Sequence, residues 1–492
     1  MTFREPADHL QTPPNLAQLS RRRLLLAGAG LAAAAKLIVG SGTASARSTR
    51  GHVAGAPAAL DGGQGVARNV IFLVCDGMSA GALAMGDYFQ KYTAGTRGHW
   101  NTVANEKGSR VGLQSTFSAN AVVTDSAAAS AAWSTGVKHF NGQMGFDPSG
   151  QQLLPLLLRA KRSGKATGVV TTTTVTHATP AGFYCNVSSR ARQNEIAAQL
   201  LDRGIDLALG GGRKYFPPAL LAEHPGVTCV QNAAALRALD PKTSPGPLLG
   251  VFHDDHLRFA IERPDTEPSL TEMAAFALNR FGQYADDRGF VLQIEAGRVD
   301  HAAHENDAAS LLFDQMEFDR TIALCAEFTR DRKDTLLIIT TDHGTANPSP
   351  TFYLRPGIDG LKRLAESKVS FESMFAALAK QPDDLAPAQR AEALAEMVKA
   401  GSGTVLGDAA RSILTRHFAK ERVDPFAIRN TLDCVLGGLL ADTCGVAFIS
   451  PNHSADHVPI MALGAGADQL PGFVDNIEIH DMVVRVADLV PA

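Results

Sequence analysis

Among the six cysteines of this 492-residue chain there is no C-x-x-C pair. That excludes the usual thiolate zinc knuckles and the thioredoxin-type redox motif. Nor is there an excess of charge of one sign. The formal net charge is only −4, which argues against a dedicated nucleic-acid partner or a membrane-surface binder. No internal repeat is visible. The one apolar run near the N-terminus reaches only from Leu24 to about Val39 and contains Lys36, too short and too charged for a stable membrane span.

What that run does carry is an export pattern. Ser20-Arg21-Arg22-Arg23 precedes it, and Ala44-Ser45-Ala46 follows as a small-x-small cleavage site. A twin arginine before a mildly hydrophobic segment reads as a Tat-type signal peptide over residues 1–46. The expected destination is the periplasm or the exterior. No cysteine lies near the cleavage site, so no lipid anchor is expected. Residues 47–67 are rich in Gly, Ala and Ser and read as a flexible linker. Cys434 and Cys444 are the one local pair with disulfide spacing, and the sequence leaves open whether they join.

From Asn69 onward, apolar runs alternate with helical patterns. Asn69–Cys75 is continuous and apolar, as in a strand buried on both faces. Ala166–Thr171, Ile205–Leu209, Phe290–Ile294, Thr335–Thr340, Val446–Ile449 and Val458–Leu463 follow. Strands separated by helices predict a three-layer α/β/α sandwich around a largely parallel sheet. Residues 350–445 differ. Helical patterns such as Phe371–Ala379 and Ala388–Lys399 are broken by Pro and Gly, and read as a mainly helical insertion or cap. The catalytic domain is then 68–349 plus 446–492.

In open α/β sheets, sites form beyond the carboxyl ends of strands, and polar residues cluster at those ends here. Asp76 follows the first run, His177 and Thr179 another, Glu295 a third, and Asp342-His343 a fourth. Asp300 and His304 are four apart, one helical turn, so both can serve one ion. His453 adds a further nitrogen, with His457 as a neighbour the sequence does not separate from it. His253 and His256 in HDDH find no supporting ligand elsewhere. Oxygen and imidazole donors without thiolates suit zinc together with a harder, oxygen-loving ion. A dinuclear cluster suits in-line phosphoryl displacement. In Asn120–Gly136, Ser126 stands where an apolar run meets an Ala-rich helical segment. It is either part of an ordinary cap with Asp125 or a hydroxyl poised at an anion-binding helix terminus.

Seven short motifs decide between these readings: CDGM (75–78), VTDSA (123–127), HATPA (177–181) with SSR (188–190), LGGGRKYF (209–216), EAGRVDHAAH (295–304), TDHG (341–344) and HSADHVP (453–459). In this order they resemble the alkaline phosphatase family, over roughly residues 68–490. The resemblance implies that Ser126 is the nucleophile that becomes phosphoserine and that Arg190 clamps the phosphate. It implies one zinc on Asp300, His304 and His453, and a second on Asp76, Asp342 and His343. A magnesium would be shared by Asp76, Thr179 and Glu295. His177, His301 and Asp125 would stand behind these groups. The His177/His301 pair resembles the animal enzymes and implies a looser magnesium site. Cys75 and Ala296 replace residues that are often glycine in the family; both are small, so tolerance is expected. The substrates implied are small phosphate monoesters, and the assembly implied is a homodimer. A diesterase of the same superfamily and a non-catalytic phosphate- or metal-binding exported protein are the alternatives.

Overall fold

The computed structural model describes residues 67–243, 246–284, 288–351, 353 and 355–490. The expected signal peptide and all but the last residue of the expected linker therefore lie outside the described residues. No helix among the described residues is long and apolar enough to cross a membrane.

Ten strands form one sheet: β1 (Asn69–Cys75), β2 (Arg110–Ser115), β3 (Ala166–Thr174), β4 (Leu207–Gly211), β5 (Thr228–Val230), β6 (Leu248–Val251), β7 (Phe290–Ala296), β8 (Thr335–Thr340), β9 (Val458–Gly464) and β10 (Phe473–Asp475). Their spatial order is β10-β2-β9-β8-β1-β7-β3-β4-β6-β5. Every pairing is parallel except those of β9, which runs antiparallel to both β2 and β8. Central β1 is flanked by β7 and β8, with Val74 opposite Glu295 on one side and Thr340 on the other. The register thus brings three chain exits to one level.

The continuous apolar character of β1 is used on both faces. Ile71, Leu73 and Cys75 enter one core with α1 (Ala80–Thr93), the helix Leu270–Tyr284 and a long helix over Ala308–Arg330. Val70, Phe72 and Val74 enter a second core with α2 (Ser126–Thr135), Leu156–Arg162 and the C-terminal helix Asn476–Val486. Period-two side-chain alternation divides the two cores, giving the three layers expected.

One expectation needs correction, and one open question is answered. Val446–Ile449 does not join the main sheet. Only Val446–Ala447 is extended, paired antiparallel with Ser349–Pro350. A short apolar run does not reveal its partner, and this one finds two residues instead of a ladder. Cys434 and Cys444 are free thiols. They sit near opposite ends of a single helix, Leu432–Cys444, about 15 Å apart at 1.5 Å per residue, far beyond disulfide reach.

Between β7 and β9 in sequence lie helices at Arg298–His304 (α3), Ala308–Arg330 (α4), Arg355–Leu364 (α5), Phe371–Leu378 (α6), Pro387–Ser402 (α7), Asp408–Phe418 (α8) and Leu432–Cys444 (α9). Leu361 and Leu364 of α5 and Cys444 of α9 pack into the first core. Phe371, Met374, Leu394, Val398, Leu414 and Leu436 form a separate third core inside α6–α9. α6 is tied to the sheet layers at its N-terminus. Ser370 and Ser373 donate to Glu262, each hydroxyl at 2.7 Å, and the Phe371 N–H donates to Asp307 Oδ2 at 2.8 Å.

Candidate metal centre and nucleophile

The site lies where β1, β3, β7 and β8 end. β1 turns sharply at Gly77, whose φ of +70° favours glycine. A Cβ there would lie 2.6 Å from Asp300 Oδ1, so the turn also lets Asp76 and Asp300 approach. The Gly77 N–H donates to Asp342 Oδ1 at 3.1 Å, joining the exits of β1 and β8.

Asp125 is the N-cap of α2. Its Oδ1 accepts from Ala128 N at 3.0 Å. Ser126 is therefore the first helical residue. It is 1% exposed, and its Oγ lies 3.2 Å from His343 Nε2. Asp125 Oδ2 accepts from Gly142 N at 3.0 Å and from Arg190 Nη1 at 3.1 Å. One carboxylate thus caps the helix that Ser126 begins and holds the Arg190 guanidinium.

His304 and His453 are prepared as ligands by the same device. The Nδ1–H of His304 donates to the Pro451 carbonyl at 2.5 Å, and that of His453 to the Thr124 carbonyl at 2.9 Å. In its neutral form each ring then presents an unprotonated Nε2. The two Nε2 atoms face each other at 2.9 Å, with Asp300 Oδ1 at 3.3 and 3.7 Å. Two lone pairs and a carboxylate oxygen so placed call for a cation, or failing that a shared proton. Burial resists charge on both rings. Asp300 nevertheless raises His304 to about 9, while burial and the stacked His343 push His453 down to about 4.

The second group is Asp76, Asp342 and His343. His343 Nε2 lies 3.2 Å from Asp342 Oδ2 and 3.7 Å from Asp76 Oδ1. Thr345 fixes this side by donating to Asp300 Oδ1 at 2.6 Å, with its hydroxyl 3.2 Å from His343 Nδ1. Ligand atoms of Asp76, Asp342 and His343 lie within 4.8 Å of one another, as do those of Asp300, His343 and His453.

The third group is Asp76, His177 and Glu295. Thr179 donates to Asp76 Oδ2 at 3.1 Å. Thr171 and Thr173 both donate to Glu295 Oε2, leaving Oε1 for the site. His177 Nδ1 stands 4.0 Å from Asp76 Oδ2 and 3.9 Å from Glu295 Oε1. Asp76 Oδ1, Glu295 Oε1, Asp342 Oδ2 and His177 Nδ1 are buried without a hydrogen-bond partner. Such atoms are costly unless something positive meets the oxygens. Burial, then Asp342, Asp300 and Glu295, push the Asp76 carboxyl well above its ordinary range. Burial also opposes charge on Asp300, yet His304, His453 and His343 hold it well below that range. The donor set therefore fits divalent cations on chemical grounds.

Every site residue expected from the sequence comes to this face. His457 does not: it is exposed and packs on Phe473. His256, given no part by the sequence, stands with His177 and His301 in a cluster with ring centroids 4.5–5.6 Å apart. His253 is not its partner there; its Nδ1 accepts from the Asp255 N–H. Arg298, Thr171, Thr173 and Thr345 were also missed. Only the adjacency of Arg298 to Asp300 could have flagged one of them. Cys75 and Ala296 are both buried and accommodated, with Cys75 Sγ 3.6 Å from Gln315 Oε1.

The family model described as alkaline phosphatase matches residues 67–489. Alkaline phosphatase 4 of Bacillus subtilis (strain 168) is 29% identical over 378 residues, covering 74% of this chain and 76% of that protein. Alkaline phosphatase 3 of the same organism is 28% identical over 439 residues, covering 86% and 90%. The crystal structure of Thermus thermophilus alkaline phosphatase superposes with a TM-score of 0.78 at 32% identity, covering 91% of this chain and 96% of that one. A cold-active alkaline phosphatase from a psychrophilic Shewanella gives 0.70 at 28% identity, covering 85% and 99%.

Proposed function

Because the chain belongs to the alkaline phosphatase family, we propose that it is an exported phosphatase that hydrolyses phosphate monoesters through a phosphoserine at Ser126. Its general class, phosphoric monoester hydrolysis, follows from the family match and the related phosphatases. The finer reading assigns two zinc ions, one to Asp300, His304 and His453 and the other to Asp76, Asp342 and His343. A magnesium belongs to Asp76, Thr179 and Glu295, with His177 and His301 beside it. Residues 1–46 act as the Tat-type signal, 47–67 as linker and 350–445 as the helical cap on the catalytic domain. The mature protein is a periplasmic or secreted homodimer.

When bound, the cations favour the serine alkoxide and take up negative charge on the leaving and equatorial oxygens. The chain's own part is positioning. Arg190, held by Asp125, presents a planar fork to two phosphate oxygens. The N-terminus of α2 adds its N–H groups and dipole to the same anion. Ser126 Oγ, its proton released to solvent, attacks phosphorus in line, and the bond from phosphorus to the ester oxygen breaks. The released alkoxide takes a proton from water. A second water then attacks the phosphoserine, returning the serine oxygen and freeing inorganic phosphate. Fixed positive charge around the transferring group lowers the barrier most.

The observation that carries this reading is the buried Ser126 Oγ, 3.2 Å from His343 Nε2 at the start of a helix, amid carboxylates lacking partners. Incubation with inorganic phosphate at acid pH, followed by peptide mass spectrometry, should find phosphate on Ser126. A Ser126→Ala protein that kept full p-nitrophenyl phosphate turnover would refute the covalent route.

A further inference from the structure

Arg298 is the first residue of α3, the helix bearing Asp300, His301 and His304. It is 4% exposed, and its guanidinium lies over the Phe259 ring, 3.7 Å from the centroid. Nη1 donates to His301 Nδ1 at 2.7 Å, and Nη2 donates to the Glu372 carboxylate in α6. Nε is buried without a partner. A guanidinium carries donors only, so His301 Nδ1 must accept. Hydrogen-bond geometry alone therefore fixes His301 as the tautomer with its proton on Nε2.

The neighbouring rings are set in the same manner. Arg190 Nη2 donates to His177 Nε2 at 3.0 Å, and the Thr174 N–H donates to His256 Nδ1 at 3.2 Å. The three imidazoles pack edge-on, with interplanar angles of 76–90°. Each is oriented by a donor from outside the trio. For His301 that donor is itself held by a carboxylate from the helical segment, although the segment has a core of its own.

We propose that Arg298 and Glu372 are a positioning pair through which the helical segment sets the orientation of His301, and with it the histidine wall beside the Asp76–Glu295 cation group. Neither residue touches substrate. Glu372 sits in the first turn of α6, next to the contacts that anchor the segment, so a displacement there is passed to His301 through one buried side chain. The effect on cation affinity rests on the third-cation reading above; the effect on the ring does not.

The test compares Glu372→Ala and the milder Glu372→Gln with Glu262→Gln, which loosens the same helix without touching Arg298. Imidazole nitrogen spectra of histidine-labelled protein should show His301 in the Nε2–H form in wild type and in Glu262→Gln. Both Glu372 variants should show a mixture of tautomers. Magnesium titrated calorimetrically into protein already loaded with zinc should bind roughly tenfold more weakly in Glu372→Ala, the scale expected when an outer-sphere partner is removed. Arg298→Lys should reproduce the ring signature of Glu372→Ala. An unchanged His301 spectrum in both Glu372 variants would overturn the proposal, as would equal changes in Glu262→Gln. A wild type that binds no third cation would defeat the cation reading instead, with the ring spectra still deciding the pairing.

Discussion

At the carboxyl ends of β1, β7 and β8, the buried Asp76, Glu295 and Asp342 each leave an oxygen without a hydrogen-bond partner. In the core of α6–α9 the buried cluster is Phe371, Met374, Leu394, Val398, Leu414 and Leu436, apolar throughout. The polar contacts at its edge include helix caps: Ser370 accepts from Ser373 N and Thr431 from Cys434 N. The core of the second region needs no counter-charge. The first is stable only because strands packed on both faces hold it, and its unmet oxygens await cations. Strain of this kind tends to gather where function is. The contrast makes one region responsible for chemistry and the other for shape, joined at α6 through Glu262, Asp307 and the Arg298–Glu372 ion pair.

Removing the cations should break this contrast most severely. Chelation is expected to abolish monoester turnover and lower the melting temperature, because the carboxylate cluster loses its counter-charge. Zinc and magnesium should restore both. Turnover surviving exhaustive chelation, checked by elemental analysis, would show that the unmet oxygens are not cation ligands. Next in size is Arg190→Lys, which keeps the charge but loses the fork. A fall of roughly tenfold to a hundredfold in kcat/KM is expected, the worth of a hydrogen bond to a charged group. No fall would detach Asp125 and Arg190 from phosphate binding.

Leu394→Ala sharpens the comparison from the other side. Leu394 is fully buried in the third core, and its truncation should cost about 2–5 kcal/mol. The loss should appear in hydrogen exchange of α6–α9, with zinc content unchanged. The smallest effect concerns pH. Burial pushes His139 and His480 down to about 4 from an ordinary 6.5. The unfolded chain then binds protons that the folded one refuses. Stability is full above about pH 6.5 and is lost as pH falls toward 4. In chelated protein, His139→Gln should flatten the melting-temperature profile over that window. An unchanged profile would exclude His139 from acid sensitivity.

The strands readable from sequence were those buried on both faces, such as Asn69–Cys75 and Thr335–Thr340, where every residue after Asn69 is apolar or a threonine. Arg110–Ser115 escaped notice because it alternates exposed and buried residues in part and carries Arg110 and Gln114. Thr228–Val230, Leu248–Val251 and Phe473–Asp475 are too short for periodicity to speak. Asp76, Glu295, Asp342 and His343 were visible because each directly follows a legible strand. His256 and Thr345 were not. One reaches the site by a loop folding back over β3, and the other acts through a hydroxyl contact that no spacing reveals.

The order of apolar runs, the polar residues at their ends and the serine before an Ala-rich segment were determined by the chain's chemistry alone. These depend on local burial and helix-terminal preference, which are written residue by residue. Tertiary structure alone decided which strand neighbours which, that His177, His256 and His301 share a wall, and that Glu372 in the helical segment reaches a buried arginine on α3. Those are contacts across long sequence separations, set by sheet order and by which side chain finds a donor in the packed molecule.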